Sequence, residues 1–217
     1  MIDVIIPTFK PDEQFEYLIE KLQMQTISPN KIILMNTEEK YMEPFLKKTG
    51  LLEKYDNLEI YHVSETEFDH GKTRDMGVKK SDAPYFLCMT QDALPYDNFL
   101  IENLLNGLKQ ENVAVVYGRQ LAKENSHILE EFTRNFNYPA QSRVKSKKDL
   151  EKLGIKTFFC SNVCAAYRRD IYNQLGGFIK KTIFNEDMIY AAAVINAGFS
   201  IGYAADARVI HSHHYTG

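Results

Sequence analysis

Asp92 closes the run Thr90-Gln91-Asp92-Ala93, directly after an apolar stretch. A hard divalent cation bound together with a diphosphate needs only one or two protein carboxylates, because phosphate oxygens and water complete its shell. The same acid also opens an Asp-x-x-Pro turn, which accounts for it equally well on local sequence. His211-Ser212-His213-His214 could add an imidazole, a ligand that suits manganese better than magnesium. In an extended segment His211 and His213 face one side and His214 the other; a chain end in solvent is the competing reading. Glu186 and Asp187 follow Asn185 at the start of a helical pattern, where the helix dipole favours ionised carboxylates. That position is structurally ordinary, yet an ionised acid there is also what deprotonating an attacking hydroxyl requires. The stretch Phe68-Asp69-His70-Gly71-Lys72-Thr73-Arg74-Asp75 offers an anion backbone N–H groups and the Arg74 guanidinium. It lacks the glycine spacing of a Walker loop or a dinucleotide fingerprint. Arg119, with Arg143 and Lys145 further on, could neutralise a diphosphate when a lid closes, although a solvated surface explains the latter two as well.

Short β-rich runs alternating with helical patterns predict an α/β domain with a largely parallel sheet. Strands are expected over 3–7, 32–35, 58–63, 85–89 and 113–117, with helices over 11–25, 41–54, 72–80 and 98–110. Gly50 is a candidate interruption of the second helix, and Gly71 a turn before the third. Residues 121–156 are polar and read as a mobile lid or inserted loop with short helices. A mixed apolar strand over 157–167 follows, then helices over 169–175 and 185–196 and a last strand within 201–210. Ligands of parallel α/β sheets sit at the carboxyl ends of strands. Here those ends carry Thr8 and Lys10, then Asn36 to Glu39, then Phe68 to Arg74, then Thr90 to Asp92.

The 217 residues are 44% apolar and 25% charged, enough for a sizeable core and unlike a disordered polar chain. A formal charge of −3 gives no bulk attraction for nucleic acid. No apolar run approaches the ~20 residues of a membrane span, and the first residues do not read as a signal peptide. A cytoplasmic protein is expected. The three cysteines, Cys88, Cys160 and Cys164, cannot all pair and read as small buried apolar residues.

Val4 to Phe9, Phe68 to Arg74, Thr90 to Ala93 and Gly118-Arg119-Gln120 stand in a recognisable order. Phe158 to Asn162, Leu175 to Phe178, Asn185-Glu186-Asp187 and His211 to Tyr215 continue it. Across essentially all 217 residues the chain resembles the family 2 inverting glycosyltransferases, and among them the bacterial rhamnosyltransferase-like group. The resemblance implies a GT-A fold, a mostly parallel central sheet flanked by helices, in one catalytic domain over 1–217. Residues 1–120 would bind the nucleotide-sugar and 121–217 the acceptor, with 121–156 lid-like. It implies Asp187 as catalytic base, and Asp92 with His211 or His213 as ligands of Mg²⁺ or Mn²⁺. Pro7, Thr8 and Glu38 would hold the nucleoside, and Asp69 and Arg74 the base or diphosphate. Arg119 would join them at the diphosphate; Ser161 and Asn162 would line the sugar or acceptor pocket. Gln91 and Glu186 flank the two acids and count as donor-site residues. Two places depart from the family pattern: Asn36 where an Asp is frequent, and Gln91 where an acid adjoins Asp92.

The implied reaction is transfer of a sugar, L-rhamnose by resemblance, from a nucleotide-diphosphate donor to a hydroxyl of a cell-surface glycan or lipid-linked oligosaccharide. Relatives in the group usually continue beyond the histidines, so the chain reads either as a trimmed form, lacking an acceptor-binding or membrane-associating tail, or as a minimal catalytic domain; peripheral association at the inner membrane face is an open expectation. A sugar nucleotidyltransferase is the rival enzyme class, but its glycine-rich loop after the first strand is replaced by Pro7-Thr8-Phe9-Lys10. A non-catalytic sugar-binding module is the remaining alternative. Assaying hydrolysis of nucleotide-sugars separates them: nucleoside diphosphate indicates the transferase, pyrophosphate the nucleotidyltransferase, and neither the module.

Overall fold

A computed structural model describes residues 1–123, 126, 128–182 and 184–211. Its first half alternates β1 (Ile2–Phe9), α1 (Glu13–Gln23), β2 (Lys31–Thr37), α2 (Glu39–Thr49), α3 (Leu51–Lys54) and β3 (Leu58–Val63). There follow α4 (His70–Lys80), β4 (Tyr85–Met89), β5 (Ala93–Pro95), α5 (Leu100–Leu108) and β6 (Val113–Leu121). The second half holds α6 (Ile128–Asn137), β7 (Arg143–Lys145), α7 (Leu150–Leu153) and a 3-10 turn (Gly154–Phe158). It ends with β8 (Cys164–Arg168), α8 (Arg169–Gln174), α9 (Glu186–Asn196) and β9 (Ser200–His211).

The sheet runs β3-β2-β1-β4-β8-β6-β9-β5, with β7 also on β9. Its first four strands are parallel, as the alternating sequence rhythm predicts. Beyond β4 it is mixed: β8 runs antiparallel to β4 and β6, β6 and β9 are parallel, and β5 and β7 are antiparallel to β9. Ile2, Val4, Ile5 and Ile6 of central β1 are all fully buried, because helices cover both faces. Val4 and Ile6 pack with Leu18 of α1, Phe45 of α2 and Leu104 of α5. Ile5 points the other way, with Val78 of α4, Tyr172 of α8 and Val194 of α9.

The expected strand over 157–167 is corrected at its start. Its first residues form the 3-10 turn, and pairing begins only at Cys164. The apolar signal at Phe158 and Phe159 belongs to an aromatic cluster instead: Phe159 lies 5.5 Å from Tyr117 and 5.8 Å from Tyr138, ring centre to ring centre. Helix α4 begins at His70, so Gly71 is helical rather than a preceding turn. A Cβ on Gly71 would sit 2.1 Å from the Ile179 carbonyl and 3.3 Å from Glu186 Cβ. The glycine is thus needed for α4 to approach the segment leading into α9. All three cysteines are free and buried, and burial pushes the Cys160 thiol up to about 12. No helix among the described residues is long and apolar enough to cross a membrane.

Candidate functional site

The carboxyl ends of β1, β2 and β4 open onto a cavity of about 410 Å³, where ligands of parallel sheets bind. Pro7, Thr8 and Phe9 come from β1, Thr37 from β2, Arg74 from α4, and Gln91 and Asp92 from the turn after β4. The Gln91 amide spans to β1: its Oε1 accepts from Phe9 N at 2.8 Å and its Nε2 donates to Phe9 O at 2.9 Å. This paired contact joins two cavity walls 82 positions apart in sequence. Gln91→Ala is expected to raise the donor KM several-fold with kcat little changed and to cost about 1–2 kcal/mol, two neutral hydrogen bonds. Steady-state kinetics and thermal unfolding measure both.

Beside Gln91, Asp92 Oδ2 lies 3.2 Å from His211 Nε2 at the end of β9. The antiparallel pairing of β5 with β9 places Ala93 opposite His211 and so brings the two side chains together. Burial pushes the Asp92 carboxyl up, but hydrogen bonding and charge from His211 outweigh it and hold the group at about 2. The carboxylate is therefore ionised throughout the neutral range. On the far side of the ring, His211 Nδ1 lies 3.0 Å from Gln120 Oε1 and 3.1 Å from Arg134 Nη2. A carboxylate with an imidazole whose second nitrogen is held by an amide oxygen is a donor set that fits a divalent transition metal. Among the described residues no group of three or more His, Cys, Asp or Glu side chains could hold such an ion.

Asp187 sits in the first turn of α9, after Asn185 in a left-handed conformation with φ 70°, a geometry Asn tolerates better than most residues. Its Oδ2 accepts from Asn162 N at 2.9 Å and its Oδ1 from Met188 N at 2.8 Å. Burial nevertheless raises its pKa above the ordinary value, and the neighbouring Glu186 charge adds to the rise. Hydrogen bonds connect this acid toward the other one. Asn162 adjoins Ser161, whose Oγ accepts from Gln120 Nε2 at 3.0 Å, and Gln120 holds His211 beside Asp92.

Glu186 faces inward. Its Oε1 accepts from Arg74 Nη1 at 2.9 Å and from Asn162 Nδ2 at 3.1 Å, with the Arg74 and Glu186 side chains 5% and 6% exposed. Tyr167 OH then donates to Asn162 Oδ1 at 2.6 Å. Glu186 is thus the buried tie between the cavity wall and the Asp187 turn. Arg74 borders the cavity with its Nε buried and lacking a hydrogen-bond partner among the described residues.

Other expected site residues have local employment. Glu38 Oε1 accepts from Glu65 N at 2.8 Å, a bond that lowers its pKa, and Glu38 does not border the cavity although Thr37 and Glu65 do. Asp69 caps α4 through Lys72 N at 2.7 Å and binds Thr182 N at 3.1 Å. Asn36 Nδ2 donates to Glu38 O at 3.1 Å, a bond that an Asp carboxylate could not make. Arg119 lies on β6 with its Nε buried and without a hydrogen-bond partner among the described residues. Lys145 is buried, donates to Lys156 O and Phe159 O, and is depressed to about 8 by desolvation. It is thus a brace of the 3-10 turn rather than a surface cation. His213 lies outside the described residues.

Sequence reading missed Gln120 and Arg134, although Gln120 was in view as part of Gly118-Arg119-Gln120. Gly118 carries the signal: a Cβ there would lie 2.6 Å from Ala207 O, where the β6–β9 register shifts. That close approach sets Gln120 beside His211.

A model of glycosyl transferase family 2 matches residues 3–176. The chain is 40% identical over 216 residues to the O-antigen chain rhamnosyltransferase RfbN of Salmonella typhimurium, covering 99% of this chain and 67% of that protein. It is 38% identical to the O-antigen chain rhamnosyltransferase WbaN of Salmonella anatum, covering 98% of this chain and 66% of that one. The chain therefore spans about two thirds of the length of these relatives. Among solved structures, a mannosyltransferase from Pyrobaculum calidifontis in complex with GDP-Man and Mn²⁺ superposes with a TM-score of 0.73 at 15% identity, covering 100% of this chain and 58% of that one. TarS of S. aureus in complex with UDP-GlcNAc superposes with a TM-score of 0.71 at 14% identity, covering 100% of this chain and 59% of that chain. At such low identity these likenesses establish the fold alone, which is the GT-A fold.

Proposed function

This chain belongs to glycosyl transferase family 2, and from that premise we propose an inverting transfer of L-rhamnose from a nucleotide-diphosphate donor to a hydroxyl of a cell-surface glycan or lipid-linked oligosaccharide. The sugar and acceptor follow the two relatives named as O-antigen chain rhamnosyltransferases. The observation that carries the chemistry is the polar path from Asp92 through His211 and Gln120 to Ser161 by side-chain contacts, along the chain to Asn162, and from the Asn162 N–H to Asp187. It connects an ionised acid that borders the cavity with a buried acid of raised pKa, which supports the reading.

In this reading residues 1–120 hold the donor and 121–217 the acceptor within one domain. Pro7, Thr8 and Phe9 form the cavity wall for the nucleoside, and Arg74 faces the diphosphate. Asp187 takes the proton of the acceptor hydroxyl as its oxygen bonds to the anomeric carbon from the face opposite the leaving group. The bond from that carbon to the diphosphate breaks in the same displacement, and its electron pair leaves with the nucleoside diphosphate. The N–H groups of Asn162 and Met188 fix both carboxylate oxygens of Asp187, so the base is oriented before the acceptor arrives. Asp92 and His211, with His213 a further candidate, would hold Mn²⁺ or Mg²⁺. Such an ion supplies charge neutralisation of the leaving diphosphate. The reaction is placed on the cytoplasmic side, at the inner face of the membrane.

Asp92→Ala is the direct test of metal dependence. Calorimetric donor binding with and without Mn²⁺ is expected to lose its metal-dependent part, more than the about 10–100-fold that outer partners of a metal site contribute. An unaltered metal titration removes Asp92 from that role.

A further inference from the structure

Helix α6 is built inside out. Ile128, Phe132 and Phe136 follow one another at intervals of four, the spacing of one helix face, and are 80%, 69% and 63% exposed. The Phe132 and Phe136 rings stack with centres 6.5 Å apart. The polar face is the one that packs: Arg134 donates to Gln120 Oε1 and lies 3.1 Å from His211 Nδ1, and Glu130 lies 3.8 Å from Arg134. A surface helix normally turns its apolar stripe to the core and its charges to water. Here the charges face the polar centre, leaving the stripe outside.

Cations border that stripe. Lys156 Nζ lies 4.2 Å from the centre of the Phe136 ring. Residues 143–156 carry Arg143, Lys145, Lys147, Lys148, Lys152 and Lys156 against Asp149 and Glu151, in a chain whose formal charge is −3. All the cations but Lys145 are exposed, as is the apolar Ile155 beside Lys156. Among the described residues none of Lys147, Lys148, Lys152 or Lys156 enters an ion pair.

We propose that the Ile128, Phe132 and Phe136 face of α6 and the lysines of 147–156 form a docking surface for an anionic lipid bilayer. Aromatic side chains enter the boundary between headgroups and acyl chains while lysines pair with anionic headgroups. A second copy of the chain is the poorer occupant, since a two-fold interface sets the same patch on both subunits and so brings lysines against lysines. The inference deepens the membrane-face location proposed above but does not depend on the transfer chemistry. Because Arg134 of the same helix touches Gln120 and His211, a docked α6 holds the reaction centre toward the surface that presents a lipid-linked acceptor.

Flotation of the full chain, without donor, on phosphatidylglycerol-rich and on pure phosphatidylcholine vesicles tests it. Binding is expected to the anionic vesicles at low salt and to weaken as salt screens the lysines. Phe132→Ser/Phe136→Ser is expected to weaken it about tenfold or more, equivalent to ~1.4 kcal/mol, with thermal unfolding unchanged because both rings are exposed. Lys147→Glu/Lys148→Glu/Lys152→Glu is expected to abolish the preference for anionic lipid. No flotation with anionic vesicles, equal binding to both compositions, or binding unaffected by the Phe variant overturns the proposal. A dimer in gel filtration that the Phe variant converts to monomer also overturns it, giving the face to a second copy. Failure of sugar transfer with vesicle binding intact would count against the proposed chemistry alone.

Discussion

Asp187→Asn is expected to reduce kcat by about 10³-fold, within the ~10²–10⁴-fold range of positioned general acid–base groups, while calorimetric donor binding is retained. The asparagine keeps the shape of the side chain and one oxygen for the Asn162 or Met188 N–H, but it cannot take up the acceptor proton. Its pH profile separates a base from a merely structural acid. A base works deprotonated, so kcat/KM rises with pH through its pKa, and burial moves that acid limb above the ordinary Asp value. The same shift has a stability sign. The folded form binds the proton more tightly than the unfolded one, so the contribution of Asp187 to stability falls as pH rises from the unfolded to the folded pKa. An acid limb unchanged in position in the variant, or undiminished transfer, removes Asp187 from the reaction.

Glu186→Gln is expected to have the largest effect on stability. Arg74 and Glu186 are both buried, and the change leaves a guanidinium charge in the interior without its counter-ion. Breaking a buried pair from one side costs about 3–5 kcal/mol. That is a fall in Tm of roughly 6–20 °C at about 2–4 °C per kcal/mol for a chain of this size. The double variant Arg74→Met/Glu186→Leu is expected to recover most of the stability, because apolar replacement of the whole pair removes the desolvation cost. It is not expected to recover donor binding, since Arg74 borders the cavity. Calorimetric unfolding of the two single variants and the double variant measures the coupling. A sum of single effects equal to the double would mean that the pair is not coupled.

These two acids show how much of the site was legible. Their side-by-side position at a helix start was plain from Asn185-Glu186-Asp187, and so was the dipole argument for keeping acids there. Their different fates were not. Neighbours on a helix point about 100° apart, and which of them meets Arg74 depends on how closely α4 and α9 approach, a distance that Gly71 permits. Asp92 was likewise visible as an acid at a strand end, and the resemblance paired it with His211 or His213; what brings His211 to it is the pairing of β9 with β5, a strand of three residues too short to leave a periodic signal. The segment 157–167 misled for a related reason. Apolar residues mark packing, and Phe159 finds its packing, half-buried, against the Tyr117 and Tyr138 rings rather than in a strand.

By itself the order of amino acids determined strands β1 to β4 and the helices between them, the parallel arrangement of those four strands, the polar strand ends and the motif order of a family. All are properties of windows of a few to twenty residues, in which periodicity and turn chemistry act. Only the tertiary structure decided which polar residues share a centre. Arg74 and Glu186 are 112 positions apart, Gln120 and His211 91, and Gln91 and Phe9 82. Such meetings follow from strand order, register and the close approach of backbones at glycines. Those are set by the joint packing of both faces of the sheet, to which no single window of sequence has access.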